Sequence, residues 1–112
     1  MNIVVTGSAG FFGSYVTNYL IDQGHKIIGL DNLSRRGSEL NAKNQRNNLF
    51  MEFHECDVSV KKHLDLCLKG KKIDWIVDCA ADPTVMESLL AYIKSAKTTN
   101  IFLCHGAFTR LI

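Results

Sequence analysis

Three glycines, Gly7, Gly10 and Gly13, recur at every third position in the stretch TGSAGFFG, directly after the apolar run Ile3-Val4-Val5. A chain that leaves a strand and opens a helix within so few residues needs one residue at positive φ, which glycine adopts without strain. A second glycine lets the backbone approach an anion, and a third lets helix and strand pack closely. The helix that follows aims free N–H groups and the positive end of its dipole at that point. The chemistry on offer is diphosphate binding. Glycines alone are weak evidence, since any tight turn collects them, but Asp31 adds to them. It ends the next apolar run, KIIGL, 18 residues beyond Gly13, close to the roughly 20 expected of an acid that binds the ribose of a dinucleotide. Such a carboxylate accepts from a 2′-hydroxyl and repels a 2′-phosphate, which favours NAD over NADP. Arg35 and Arg36 lie nearby as the alternative, a pair able to take that phosphate, and capping of a loop is the plain alternative for Asp31.

The elements that must hold these residues follow from periodicity. Phe12, Val16, Tyr19 and Leu20 form the apolar stripe of a helix that Gly24 closes. Lys26 to Leu30 reads as a strand, and the polar, basic residues 32–49 as a loop, with one helical turn as the alternative. Phe50 to Cys56 resumes strand character, and Val60, Leu64, Cys67 and Leu68 mark a helix ended by Gly70. Ile73 to Ala80 is a fourth strand, and from Thr84 the chain reads as helical, with a break near Thr98 and Thr99. Alternating strands and helices with right-handed crossovers predict an α/β fold. It is a doubly wound parallel sheet of about four strands, order 3-2-1-4.

Composition sets bounds. In 112 residues, 46% hydrophobic and 21% charged, the chain can bury a core, and one domain is the upper limit. A net charge of +2 with interspersed signs gives no case for nucleic acid or an anionic membrane. Lys69-Gly70-Lys71-Lys72 reads as a solvated helix end rather than a phosphate site. The four cysteines, Cys56, Cys67, Cys79 and Cys104, stand far apart and read as free thiols rather than disulfides or a metal site. His25, His54, His63 and His105 have no metal-like spacing. The expectation is a reduced, soluble, cytoplasmic protein.

TGSAGFFG resembles the T-G-x-x-G-F-x-G signature of the extended short-chain dehydrogenase/reductases, the NAD-dependent sugar epimerase/dehydratase family. The resemblance continues in order through DNLSRRGS, CDV, DWIVDCAADPTV and TTN and covers nearly all of residues 1–102. Within the family, DNLSRRG and DCAADP most resemble the CDP-paratose 2-epimerase (CDP-tyvelose epimerase) subgroup, although many relatives have His where this chain has Asp78.

The resemblance implies a Rossmann domain binding NAD. Gly7, Gly10, Phe11, Phe12 and Gly13 would form the diphosphate turn, with the phenylalanines partly packed beneath it. Asp31 would bind the adenosine ribose, with Asn32, Ser34 and Arg35 lining the same end. Asp57 and Val58 would flank the adenine, a role for Asp57 compatible with capping the next helix. Ala80 and Ala81 would let the cofactor pass over the fourth strand, or serve only close packing. Asn100 would order a loop near the cofactor. Ser88 would lie at the substrate border, or be a plain helix serine.

The resemblance further implies a nucleotide-sugar substrate and a Tyr-x-x-x-Lys pair. Tyr15, Tyr19 and Tyr92 are followed four places on by Tyr19, Gln23 and Ala96, so none matches. The catalytic pair and the sugar domain are therefore expected outside these residues, and the chain is expected to be the amino-terminal portion of the Rossmann domain, inactive alone. After Asn100 the chain departs from the family pattern, with Leu103 where a glycine is expected. A sheet ending at its fourth strand would expose Trp75–Cys79 as an apolar edge prone to self-association.

Overall fold

The computed structural model describes residues 1–80, 83–96, 100–105 and 108–111. The strands are β1 (Asn2–Thr6), β2 (Lys26–Asp31), β3 (Met51–Glu55), β4 (Trp75–Asp78), β5 (Asn100–His105) and β6 (Phe108–Leu111). The helices are α1 (Phe11–Asp22), α2 (Ser38–Arg46), α3 (Lys61–Leu68) and α4 (Pro83–Ala96). They build one sheet in the order β3-β2-β1-β4-β5-β6. The first four strands are parallel in the expected order 3-2-1-4, with Val4 opposite both Ile28 and Ile76.

Period-2 alternation along these strands divides the core between the two faces of the sheet. Val4, Ile28, Leu30 and Ile76 pack with Leu64 and Leu68 of α3 and Val85, Leu89 and Tyr92 of α4. Ile3, Val5, Ile27 and Val77 pack with Val16, Leu20 and Ile21 of α1. Strands covered on both faces explain the unbroken apolar runs IVV and WIV.

Three expectations are corrected. β4 is not an edge: β5 pairs with it in parallel, Trp75 opposite Asn100 through Asp78 opposite Leu103, and β6 returns antiparallel on β5. Self-association through a bare fourth strand therefore loses its basis. The run NIFLCH is a short apolar segment of the kind a parallel strand favours, and α4 stops before it at Ala96; Thr98 and Thr99 lie outside the described residues. Residues 32–49 are not merely loop, since Ser38–Arg46 is helical. Lastly, the buried line of α1 runs through Gly13 and Thr17, while Phe12 and Tyr19 are 51% and 58% exposed. The two small residues let the helix lie close, and they join Val16 and Leu20 in the packed line.

Cys56, Cys67 and Cys79 form no disulfide among the described residues; Cys56 is buried and the other two are half-buried. Burial, with the Cys67 thiol as hydrogen-bond partner, pushes the Cys56 thiol from its ordinary 9.0 up to about 12. The folded chain then keeps a proton that the unfolded chain gives up. The resulting stabilisation is complete below pH 9.0 and is lost as the pH rises toward about 12. Urea denaturation across that range is expected to show stability falling more steeply with pH in the parent than in Cys56→Ala. Equal slopes would remove Cys56 as the cause.

Candidate dinucleotide-binding site

The glycine turn sits where β1, β2 and β4 end. Gly7 takes φ +66° and donates its N–H to the Leu30 carbonyl at 2.7 Å. A Cβ there would meet Ala80 N at 2.9 Å and the Cys79 carbonyl at 3.0 Å, so the residue is glycine for space as well as conformation. Gly13 is more constrained: its Cβ would lie 1.8 Å from the Gly7 carbonyl oxygen, because α1 rests directly on the turn. Gly10 is different. Its backbone is extended (φ −72°, ψ 173°), and a Cβ would approach only the Gly7 oxygen, at 3.3 Å.

The mouth of α1 is left open. Gly10 supplies no side-chain cap, and the first turn holds no acidic residue. Ser14 N–H closes the first turn on the Gly10 carbonyl at 2.9 Å, and the N–H groups of Phe11, Phe12 and Gly13 precede any intrahelical acceptor. These donors and the helix dipole favour an anion.

Asp31 is 8% exposed at the tip of β2. Its Oδ2 accepts Ala9 N–H at 3.0 Å and its Oδ1 accepts Leu33 N–H at 2.8 Å. The carboxylate thus ties the glycine turn to the following loop, where Leu33 is held at φ +59°, a sparsely populated conformation for a residue with a Cβ. A carboxylate has about four acceptor sites, so both oxygens retain capacity for hydroxyl donors. Asn32 Oδ1 accepts Ser34 N–H at 3.0 Å in a second local turn, and the Arg35 carbonyl receives the Ser38 hydroxyl at 2.6 Å.

Across from them, Asp57 Oδ1 accepts the Ser59 N–H at 3.0 Å and its hydroxyl at 2.5 Å. The cap of α3 is Val60, so Asp57 organises the turn before the helix rather than capping it. The Thr6 hydroxyl donates to Asp78 Oδ1, which also accepts Ala80 N–H at 3.2 Å. The buried Asp78 therefore braces the end of β4 against the end of β1. Ser88 is buried and donates to the Ser59 carbonyl, binding α4 to the Asp57 turn.

Gly7, Gly10, Asp31, Asn32, Ser34, Arg35, Asp57, Val58 and Ala80 line one cleft of about 280 Å³. Sequence reasoning missed Ser59, Cys79 and Val85 in its wall; Ser59 follows the CDV motif and Cys79 and Val85 lie within DWIVDCAADPTV, and that placement was the available signal. Phe11, Phe12 and Gly13 line a neighbouring depression that shares Gly10, Arg35 and Cys79 with the cleft. Phe11, 96% exposed, does not pack beneath the turn, and Phe12 is half covered at 51%; the turn is filled by its own backbone against Gly13. Asn100 starts β5 opposite Trp75, at the far end of β4 from Asp78. Ala81 lies outside the described residues. Among the described residues no three His, Cys, Asp or Glu side chains are grouped to hold a metal ion, and no helix is long and apolar enough to cross a membrane.

The residues present fit a dinucleotide: open helix amides face the turn, and a nearly buried carboxylate stands one strand over. The chain is 40% identical over 113 residues to an uncharacterized protein of Methanocaldococcus jannaschii, with 90% of this chain and 34% of that protein covered. It is 32% identical over 110 residues to a UDP-glucose 4-epimerase of Bacillus subtilis, with 95% and 32% covered. Among solved structures it superposes on the dTDP-glucose 4,6-dehydratase of Bacillus anthracis in complex with NAD, with a TM-score of 0.77 and 28% identity over 92% of this chain and 36% of the other. The chain spans about a third of the length of these curated relatives. None of the three is named as a CDP-paratose 2-epimerase, so the narrower resemblance stands on DNLSRRG and DCAADP alone. The model of the NAD dependent epimerase/dehydratase family matches residues 3–103, and the chain belongs to that family.

Proposed function

We propose that this chain is the NAD-binding portion of a nucleotide-sugar epimerase or dehydratase and does not turn over a sugar by itself. The observation that carries this reading is the joint use of Asp31, which holds the glycine turn through Ala9 N–H while facing the cleft where that turn ends. The mouth of α1 would hold the diphosphate, Asp31 the adenosine ribose, and Asp57 and Val58 the adenine. Bound NAD supplies a reversible hydride acceptor. No Tyr-x-x-x-Lys pair occurs in the 112 residues, so the proton transfer that accompanies hydride movement is assigned to residues beyond them.

The finer reading, a CDP-paratose 2-epimerase, is supported by DNLSRRG and DCAADP. A reading frame downstream of Ile112 that encodes Y-x-x-x-K would support the enzyme reading. A second reading is a dinucleotide-binding module without catalysis. It is favoured by the β5–β6 hairpin, which covers β4 within this chain.

Titration calorimetry with NAD and NADP tests what the two readings share. NAD is expected to bind, and NADP more weakly, because the Asp31 carboxylate repels a 2′-phosphate. Absence of heat with NAD would remove the proposal. Equal affinities would remove the ribose role of Asp31.

A further inference from the structure

The helix that hydropathy hides, α2, turns a polar face inward, with Ser38, Ala42 and Gln45 buried. Gln45 is 5% exposed and spends its whole carboxamide on one residue. Its Nε2 donates to the Ser8 carbonyl at 2.7 Å, and its Oε1 accepts the Ser8 hydroxyl at 3.0 Å. One helical turn earlier, Asn41 Nδ2 donates to the Ala9 carbonyl at 2.8 Å.

Ser8 is fully buried, and β2 makes the room for it. At Gly29 a Cβ would stand 2.6 Å from Ser8 Oγ and 2.9 Å from the Met51 methyl group. Gly29 is thus a notch in the sheet surface that receives the serine. Ser8 and Ala9 are held at every backbone polar group: Ser8 N–H reaches Leu30 O at 3.4 Å and Ala9 N–H reaches Asp31. Mere filling of space would be served as well by an apolar residue at position 45. A buried amide paired twice to one residue fixes an orientation instead. What it orients is the two residues between Gly7 and Gly10, whose pitch aims the mouth of α1.

We infer that Gln45, seated on Ser8 in the Gly29 notch, is a positioning residue that sets the pitch of the diphosphate-binding turn. The inference rests on the NAD reading above, and the ligands of the test separate the two. ADP-ribose carries the diphosphate and adenosine does not. In Gln45→Met, an exchange of similar volume, calorimetry is expected to show ADP-ribose affinity reduced about tenfold, the usual scale for one or two lost hydrogen bonds, with adenosine affinity unchanged. Ser8→Ala is expected to act in the same direction, and the double variant to be no worse than Gln45→Met. Ser8→Ala carries the test if Gln45→Met does not fold. Equal losses for both ligands, or no loss for either, would overturn the inference.

Amide exchange supplies a readout independent of binding. Faster exchange at Ala9 and Gly10 in the variant, with Val4 and Val5 unchanged, supports the positioning role. A uniform change, or none at the turn, overturns it. Should the parent chain bind neither ligand, the NAD reading fails and the exchange result alone decides the role of Gln45.

Discussion

Gly13→Ala is expected to destabilise the chain by about 3 kcal/mol or more, the upper end for overpacking, and to abolish NAD binding with it. The Cβ would lie 1.8 Å from the Gly7 carbonyl oxygen and 2.7 Å from the carbonyl carbon. Both contacts are with backbone, so no rotamer change relieves them. α1 would have to lift from the turn, and Val16, Leu20 and Ile21 would lift with it from the Ile3, Val5, Ile27 and Val77 face. Gly10→Ala is the informative contrast. Its backbone is extended and its nearest conflict is at 3.3 Å, so the fold is expected to survive while the added methyl crowds a bound diphosphate. Thermal melts paired with NAD titration check this. A stable Gly13→Ala that binds NAD, or a Gly10→Ala with undiminished affinity, would separate these glycines from the roles their spacing suggests.

The parts of the fold legible in the sequence were those whose signal is local and apolar. IVV, KIIGL and WIV read as parallel strands because both their faces are covered, and Gly7 and Gly13 were legible because backbone-on-backbone contact admits no other residue there. α2 was not legible, since its inner face is Ser38, Ala42 and Gln45, and a polar face that docks by hydrogen bonds leaves no hydrophobic period to detect. The same polarity concealed the partners of Ser8 and Ala9. The contact line of α1 was legible at Val16 and Leu20, which pack on the sheet, but not at Gly13 and Thr17, which are buried yet weigh lightly in hydropathy. β5 was missed by treating the fourth strand as the end of the sheet, although NIFLCH carries the apolar length of a strand. Asp31 was legible by position but only half by role: its place at the tip of β2 follows from spacing, whereas its bond to Ala9 depends on how closely the turn folds back.

That double role sets the second large effect. Asp31→Ala is expected to weaken NAD binding by about 1–3 kcal/mol, roughly 5- to 150-fold. Two causes add here. The ribose loses a charged acceptor, and the N–H groups of Ala9 and Leu33 lose theirs, so the turn and the strained Leu33 are both released. The carboxylate's repulsion of a 2′-phosphate also disappears, with Arg35 and Arg36 close by in sequence. NADP affinity is therefore expected to fall less than NAD affinity, and the preference between the two to narrow. If both fall by the same factor, Asp31 acts through the turn alone and the ribose contact is excluded. If NAD affinity falls and NADP affinity holds, the carboxylate discriminates at the ribose, and the 18-residue spacing from Gly13 reports a functional distance.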